Sequence, residues 1–248
     1  ALPILESHPI YILIFRRIME NVLGDNIGFV KLVDKMGDDL SVVNSARISY
    51  NRESSEFSDR DKKLIKYLLK NNHSSPLEHV QFTFNVKVPL YIERQWNRHR
   101  SWKYFSFNEV SRRYSSENIE FYIPKEFRLQ SEDNKQMSTG ELLEEKRAIE
   151  FEDTIRMFCE DSLTIYSVML ENGVAREIAR GVLCQYMYTN FYATVDLHNL
   201  FWFLELRRHP HAQHEIQLYA RAIEDIIKDI VPFTYNTWND LMQEKYNF

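Results

Sequence analysis

The chain has 248 residues, 44% of them hydrophobic and 14% aromatic, which is enough for the core of one good-sized domain and excludes a disordered chain. A formal net charge of −5 excludes a surface that attracts nucleic acid over its whole extent, so any basic cluster stands out against an acidic background. The two cysteines, Cys159 and Cys184, form neither a disulfide framework nor a CxxC metal pair; flanked by apolar residues, they read as buried thiols in keeping with a reducing cytoplasm.

Along the chain, the apolar run from Ile10 to Phe15 is too short for a signal peptide and is closed by Arg16 and Arg17, and no stretch approaches about 20 apolar residues, so a soluble protein is expected. Residues 28–34 (GFVKLVD) read as a strand, followed by a helix from Leu40 to Arg47. Ser58 opens a second helix, with Asp59 and Asp61 favouring its N-terminus and Leu64, Ile65, Leu68 and Leu69 forming an apolar stripe. From Val80 to Val88 apolar and polar residues alternate, which predicts a strand with one wet face. Pro89 then opens a helix carrying Arg94, Gln95, Arg98 and His99.

Ile119–Ile123 suggests another strand, ended by Pro124, and residues 129–140 read as a polar surface loop. A long amphipathic helix is expected from Glu141 to Glu171, stopped by Asn172 and Gly173. Tyr186–Val195 reads as a strand, Asp196 as the cap of a helix ending at Arg207, and Ala212–Lys228 as a final helix. Strands and helices mix without regular βαβ alternation, so the fold class is α+β, a single domain.

Residues 94–115 carry the chemistry. Arg94, Arg98, Arg100, Lys103, Arg112 and Arg113 face only Glu109 in charge, and Trp96, Trp102, Tyr104, Phe105 and Tyr114 are interleaved with them. Guanidinium forks bind phosphate oxygens in pairs, and aromatic faces stack on flat heterocycles. This composition fits a nucleotide site, a single-strand nucleic-acid surface or a solvated basic loop equally well. The six glycines form no GxG, so phosphates would have to be held by side chains rather than by a glycine-rich loop.

The order of the residues separates these readings. Arg98-His99-Arg100, followed by Ser106-x-Asn108-Glu109-x-Ser111-x-Arg113-Tyr114-Ser115, resembles the RHR…SxNExSxRYS signature of flavin-dependent thymidylate synthases. HSSPLEHVQFTFNVKVP upstream and LELRRHPHAQHEIQLYA downstream also resemble that family, so the likeness runs from about residue 28 to 235. Five residues, Ser101 to Phe105, separate the two halves of the signature, a longer spacing than the family's usual one.

The resemblance implies a central, mostly antiparallel sheet flanked by helices, a synthase domain at 28–248 behind an N-terminal extension at 1–27, and a homotetramer with shared active sites. It implies FAD as cofactor, NADPH and 5,10-methylenetetrahydrofolate as co-substrates, and dUMP as the substrate methylated to dTMP. By the same resemblance Ser49, Ser75, Arg98, His99, Arg100, Glu109, Asp196, His198, Trp202 and His211 are expected at FAD. Gln95, Arg98, Glu109, Ser111, Arg112, Arg113, Arg180 and Arg207 are expected at dUMP. Arg207 is the expected catalytic group, stabilising charge on the uracil as N3 loses its proton. The family pattern carries a polar residue more often than a tryptophan at position 202, and an arginine often where His198 stands. His73 also matches the family pattern, near where folate should approach. Neither cysteine lies beside the arginines, so no protein nucleophile is expected. His209, His211, His214 and Glu215 could instead form a metal site, but the HxH pair is badly spaced for one helical face and no metal is expected.

Overall fold

The alternation between Val80 and Val88 builds the middle of the fold. In this computed structural model, which describes residues 18–99, 106–114 and 118–246, Phe82, Phe84, Val86 and Val88 are fully buried on one face of β3 (Gln81–Pro89). β3 pairs on one side with β2 (Phe29–Met36) and on the other with β7 (Tyr188–Asp196). β1 (Ile18–Glu20) extends the sheet beyond β2, and β4 (Ser106–Glu109) beyond β7. The order is β1-β2-β3-β7-β4, and every pairing is antiparallel. An α+β domain with an antiparallel sheet is therefore observed.

Helices α1 (Asp39–Arg47) and α2 (Asp59–Lys70) start on capping boxes at Asp38 and Ser58, where side chain and backbone satisfy each other's free groups. Arg47 pairs with the buried Asp61 at 2.5 Å and ties the two helices together. α3 (Leu90–Trp96), α6 (Leu197–Arg207) and α7 (His214–Ile227) complete one large core with the inner faces of β2, β3 and β7. α4 (Glu145–Glu171) and the short α5 (Arg176–Ala179) build a smaller core around Tyr166, Leu183 and Met187. No helix among the described residues is long and apolar enough to cross a membrane.

Four expectations need correction. The strand expected at Ile119–Ile123 is reduced to one bridge, Phe121 opposite Met187, because Pro124 lacks the N–H needed to extend the ladder. The loop expected at 129–140 contains a two-stranded ribbon, β5 (Arg128–Gln130) with β6 (Ser138–Leu142), so the long helix begins at Glu145 rather than Glu141. β4 is a strand that its sequence does not announce, since SFNE lacks a run of β-formers; pairing with β7 makes it one. A further helix, α8 (Pro232–Tyr246), follows the one expected to be last. Asp39 caps it, accepting from the main-chain N–H groups of Phe233 and Thr234 at 2.9 Å each, and Trp238 stacks on Phe201 at 4.5 Å between ring centroids.

Candidate active site

β3 delivers the chain to Pro89, whose extended backbone caps α3, and one 3-10 turn, Asn97–His99, follows. Trp96 is fully buried, stacked on Phe203 of α6 at 4.8 Å and edge-on to Phe191 of β7 at 5.4 Å. That wedge holds the end of α3 against the end of α6. α6 itself is fixed at its start by Asp196, which accepts from the Asn199 N–H at 2.9 Å, and eleven residues later it ends on Arg207.

Arg207 is thus brought to residues more than a hundred positions earlier. Its Nε donates to His99 Nε2 at 2.9 Å, its Nη2 to the Gln95 carbonyl at 3.1 Å and its Nη1 to Gln95 Oε1 at 3.4 Å. His99 is buried, and burial together with the Arg207 cation lowers its pKa to about 4. It is therefore a neutral acceptor at Nε2, with its proton on Nδ1. Burial also lowers the pKa of Arg207, although a guanidinium stays charged at any working pH. Arg94, Gln95, Asn97, Arg98 and Arg207 line an open hollow of about 480 Å³. A second hollow shares Arg207 and is lined also by His209 and His211.

The signature residues after the longer spacing lie along β4 and the turn beyond it. Glu109 stands opposite Phe191 in the sheet and accepts from Thr189 Oγ1 at 2.6 Å. Ser111 Oγ accepts from the Arg113 N–H at 3.3 Å, and Ser111 O from the Tyr114 N–H at 3.0 Å, a tight turn that presents the Arg113 side chain to solvent. Arg113 reaches Glu177 of α5 at 3.5 Å, one turn before Arg180, so these two arginines sit on neighbouring elements. Arg112 is partly buried, which pushes its pKa down, and its Nη2 is 3.5 Å from the Asn118 carbonyl.

His198 and Trp202 project from α6 into a third cavity, about 230 Å³, lined also by His73, Phe201 and Trp238. Asp196 spends its carboxylate on capping α6, bonding both the N–H and the side-chain amide of Asn199. Ser49 and Ser75 are exposed in the 3-10 turns Ile48–Tyr50 and Ser75–His79 and line none of these three hollows. Arg100, the residues 101–105 that lengthen the signature, and Ser115 lie outside the described residues.

The candidate metal cluster is used otherwise. The His209 ring packs edge-on against His211 at 4.7 Å and against Tyr246 at 5.3 Å, and its Nδ1 accepts from the His211 N–H. Among the described residues no group of three or more His, Cys, Asp or Glu side chains could hold a metal ion. Sequence reasoning missed Thr189, which orients Glu109, and Gln213, which bonds Gln95. The only trace of Gln213 is its place in the HAQHEIQ string.

Comparison with known proteins agrees with this geometry. The family model described as "Thymidylate synthase complementing protein" matches residues 31–233. A "Flavin-dependent thymidylate synthase" of Thermus thermophilus is 46% identical over 217 residues, covering 88% of this chain and 77% of the relative. One from Wolbachia pipientis is 44% identical over 216 residues, covering 85% and 73%. The crystal structure of the UMP/dUMP methylase PolB from Streptomyces cacaoi, bound with 5-Br UMP, superposes with a TM-score of 0.75 at 32% identity, covering 85% of this chain and 93% of that one. The chain belongs to the family of flavin-dependent thymidylate synthases.

Proposed function

We propose that the protein methylates dUMP to dTMP, taking the one-carbon unit from 5,10-methylenetetrahydrofolate and reducing equivalents from NADPH through FAD. The observation that carries this reading is the guanidinium of Arg207, held by His99 and Gln95 at the edge of a cationic hollow. The donor set fits an anionic, flat cofactor. Arg94 and Arg98 have no carboxylate partner among the described residues, and His198 and Trp202 bring aromatic rings to the cavity along α6. FAD, when bound, supplies the hydride that completes the methyl group.

In this reading Arg98, His99, Arg100, Ser49, Ser75, Glu109, Asp196, His198, Trp202 and His211 hold the flavin dinucleotide. Gln95 and Glu109 orient the pyrimidine, while Ser111, Arg112, Arg113 and Arg180, with Arg98, hold the nucleotide and its phosphate. Arg207 faces the ring, where a fixed guanidinium stabilises the negative charge that develops when N3 loses its proton. No side-chain nucleophile takes part. The synthase domain spans 28–248, residues 1–27 are its extension, and four cytoplasmic copies assemble with sites shared between subunits. Apolar side chains exposed along α4, among them Met157, Phe158 and Ile165, support such an assembly.

The test is direct. Purified protein should be yellow, with flavin absorbance, and should form dTMP from dUMP only when methylenetetrahydrofolate and NADPH are both supplied. A colourless protein that forms no dTMP with added FAD would refute the reading.

A further inference from the structure

A line of side-chain hydrogen bonds leads from Arg207 back into the protein. Gln95 accepts from Arg207, and its own Nε2 donates to Gln213 Oε1. Gln213 Nε2 donates to Glu215 Oε2 at 2.8 Å, and the other oxygen of Glu215 accepts from Arg128 Nη2 on β5. Glu215 is only 7% exposed. It lies against Tyr91 and Tyr122, whose hydroxyls are held above the ordinary tyrosine range by burial first and by the Glu215 charge second.

The two ends of this line set its direction. A carboxylate only accepts, so Gln213 must turn its NH₂ toward Glu215 and leave its carbonyl facing Gln95. Gln95 must then offer its NH₂ to Gln213 and its carbonyl to Arg207, which only donates. Flipping either amide would set two donors or two acceptors against each other, with the loss of hydrogen bonds in a partly buried place. Both amides therefore have one consistent orientation, imposed by the Glu215 carboxylate directly on Gln213 and through it on Gln95.

We propose that Gln213 and Glu215, backed by Arg128, are positioning residues that hold the Gln95 amide and the Arg207 guanidinium in the orientation that receives the pyrimidine. The proposal rests on the reading of Gln95 and Arg207 as dUMP-binding residues. Substrate contact belongs to Gln95 and Arg207; Gln213 and Glu215 act through them. The effect should therefore appear in dUMP affinity and not in flavin retention.

The test is dUMP titration of FAD-loaded protein, with flavin content and melting temperature recorded for each variant. Gln213→Glu keeps the size of the side chain and an acceptor for Gln95, but sets a carboxylate against Glu215. It should weaken dUMP binding about tenfold. Gln213→Ala, which adds no charge, should weaken it similarly. The swap of Gln213→Glu with Glu215→Gln reverses the bond between 213 and 215, the amide now at 215 donating to the carboxylate at 213, while it removes the clash of two carboxylates and keeps an acceptor for the Gln95 NH₂. It should return dUMP affinity to within about threefold of the parent protein.

A swap no better than Gln213→Glu, with flavin content preserved, would overturn the proposal and leave Gln213 a packing residue. So would unchanged dUMP affinity in Gln213→Ala. If Arg207→Ala loses dUMP while both Gln213 variants keep it, the positioning idea fails and the assignment of Arg207 stands. If the parent protein itself does not bind dUMP, the functional reading fails first.

Discussion

The Nε of Arg207 donates to the Nε2 of His99 across 2.9 Å, a cation resting on an imidazole that must stay neutral to accept it. This contact joins the RHR motif to the LELR motif and constrains what each can do. The guanidinium cannot rotate away from the hollow without losing both His99 and the Gln95 carbonyl.

For Arg207 the expected consequence concerns the reacting pyrimidine. Arg207→Ala should retain flavin and accept electrons from NADPH, yet lose about 10²- to 10³-fold in dTMP formation, the usual effect of removing a group that stabilises developing charge. Arg207→Lys keeps the charge but not the planar fork and should recover only part of the rate. Turnover at saturating dUMP, measured beside flavin reduction in the same preparations, is the check. Normal turnover in Arg207→Ala would remove the catalytic role.

For His99 the expected consequence concerns pH. Its pKa is lowered to about 4 in the folded protein, against 6.5 for an unperturbed histidine, so between those values the unfolded chain binds the extra proton. Stability contributed by the neutral, buried form is fully present above pH 6.5 and is lost as pH falls toward 4, on the order of 3 kcal/mol. His99→Gln keeps an acceptor for Arg207 without titrating. Denaturant unfolding of both proteins across this range should show a steeper acid-side loss in the parent; equal slopes would refute it.

Cys159 and Cys184 are both buried, with sulfurs 3.4 Å apart, and the hydrogen bond to Cys184 and burial push the Cys159 thiol up. A reaction without a protein nucleophile should survive the loss of either. Cys159→Ala and Cys184→Ala should each keep dTMP formation per folded flavoprotein, while losing about 1 kcal/mol or more of stability through lost packing. A folded, flavin-loaded Cys184→Ala protein with no turnover would contradict the mechanism.

Asp39 is 8% exposed and gives its carboxylate to α8 rather than to a cation. Asp39→Ala leaves two helix N–H groups without their acceptor and should destabilise the protein by about 1–3 kcal/mol. Chemical denaturation would report it, and Asp39→Asn should be the milder change. An unaltered midpoint in Asp39→Ala would show that water replaces the cap at no cost.

Much of this was legible in the sequence where a local rule decides the outcome. The period-two pattern of Phe82, Phe84, Val86 and Val88 requires a half-buried strand, and the cap at Asp196 follows from a short acidic side chain before an apolar helix. α8 escaped because TYNTWN consists of poor helix formers; its helix is stabilised by Asp39 and by Trp238 on Phe201, partners far away in the chain. Motif order brought Arg98, His99 and Arg207 to attention. Gln213 carried no comparable signal, because an amide acquires its role only from the partner that folding brings to it, here Gln95, 118 positions away.

The bond between Asp39 and Thr234 spans 195 positions, which has a meaning for the order of folding. An isolated segment as short as α8, rich in Thr, Asn and aromatic residues, does not hold a helix in water. Its helix must form on a surface that already exists, made by α1, α2 and α6. Docking of α8 is therefore a late, non-local event, and the kinetic cost of so distant a closure falls on that step. Until that closure Phe201 lacks the Trp238 ring that covers one of its faces in the folded protein, so the last helix also completes the aromatic core.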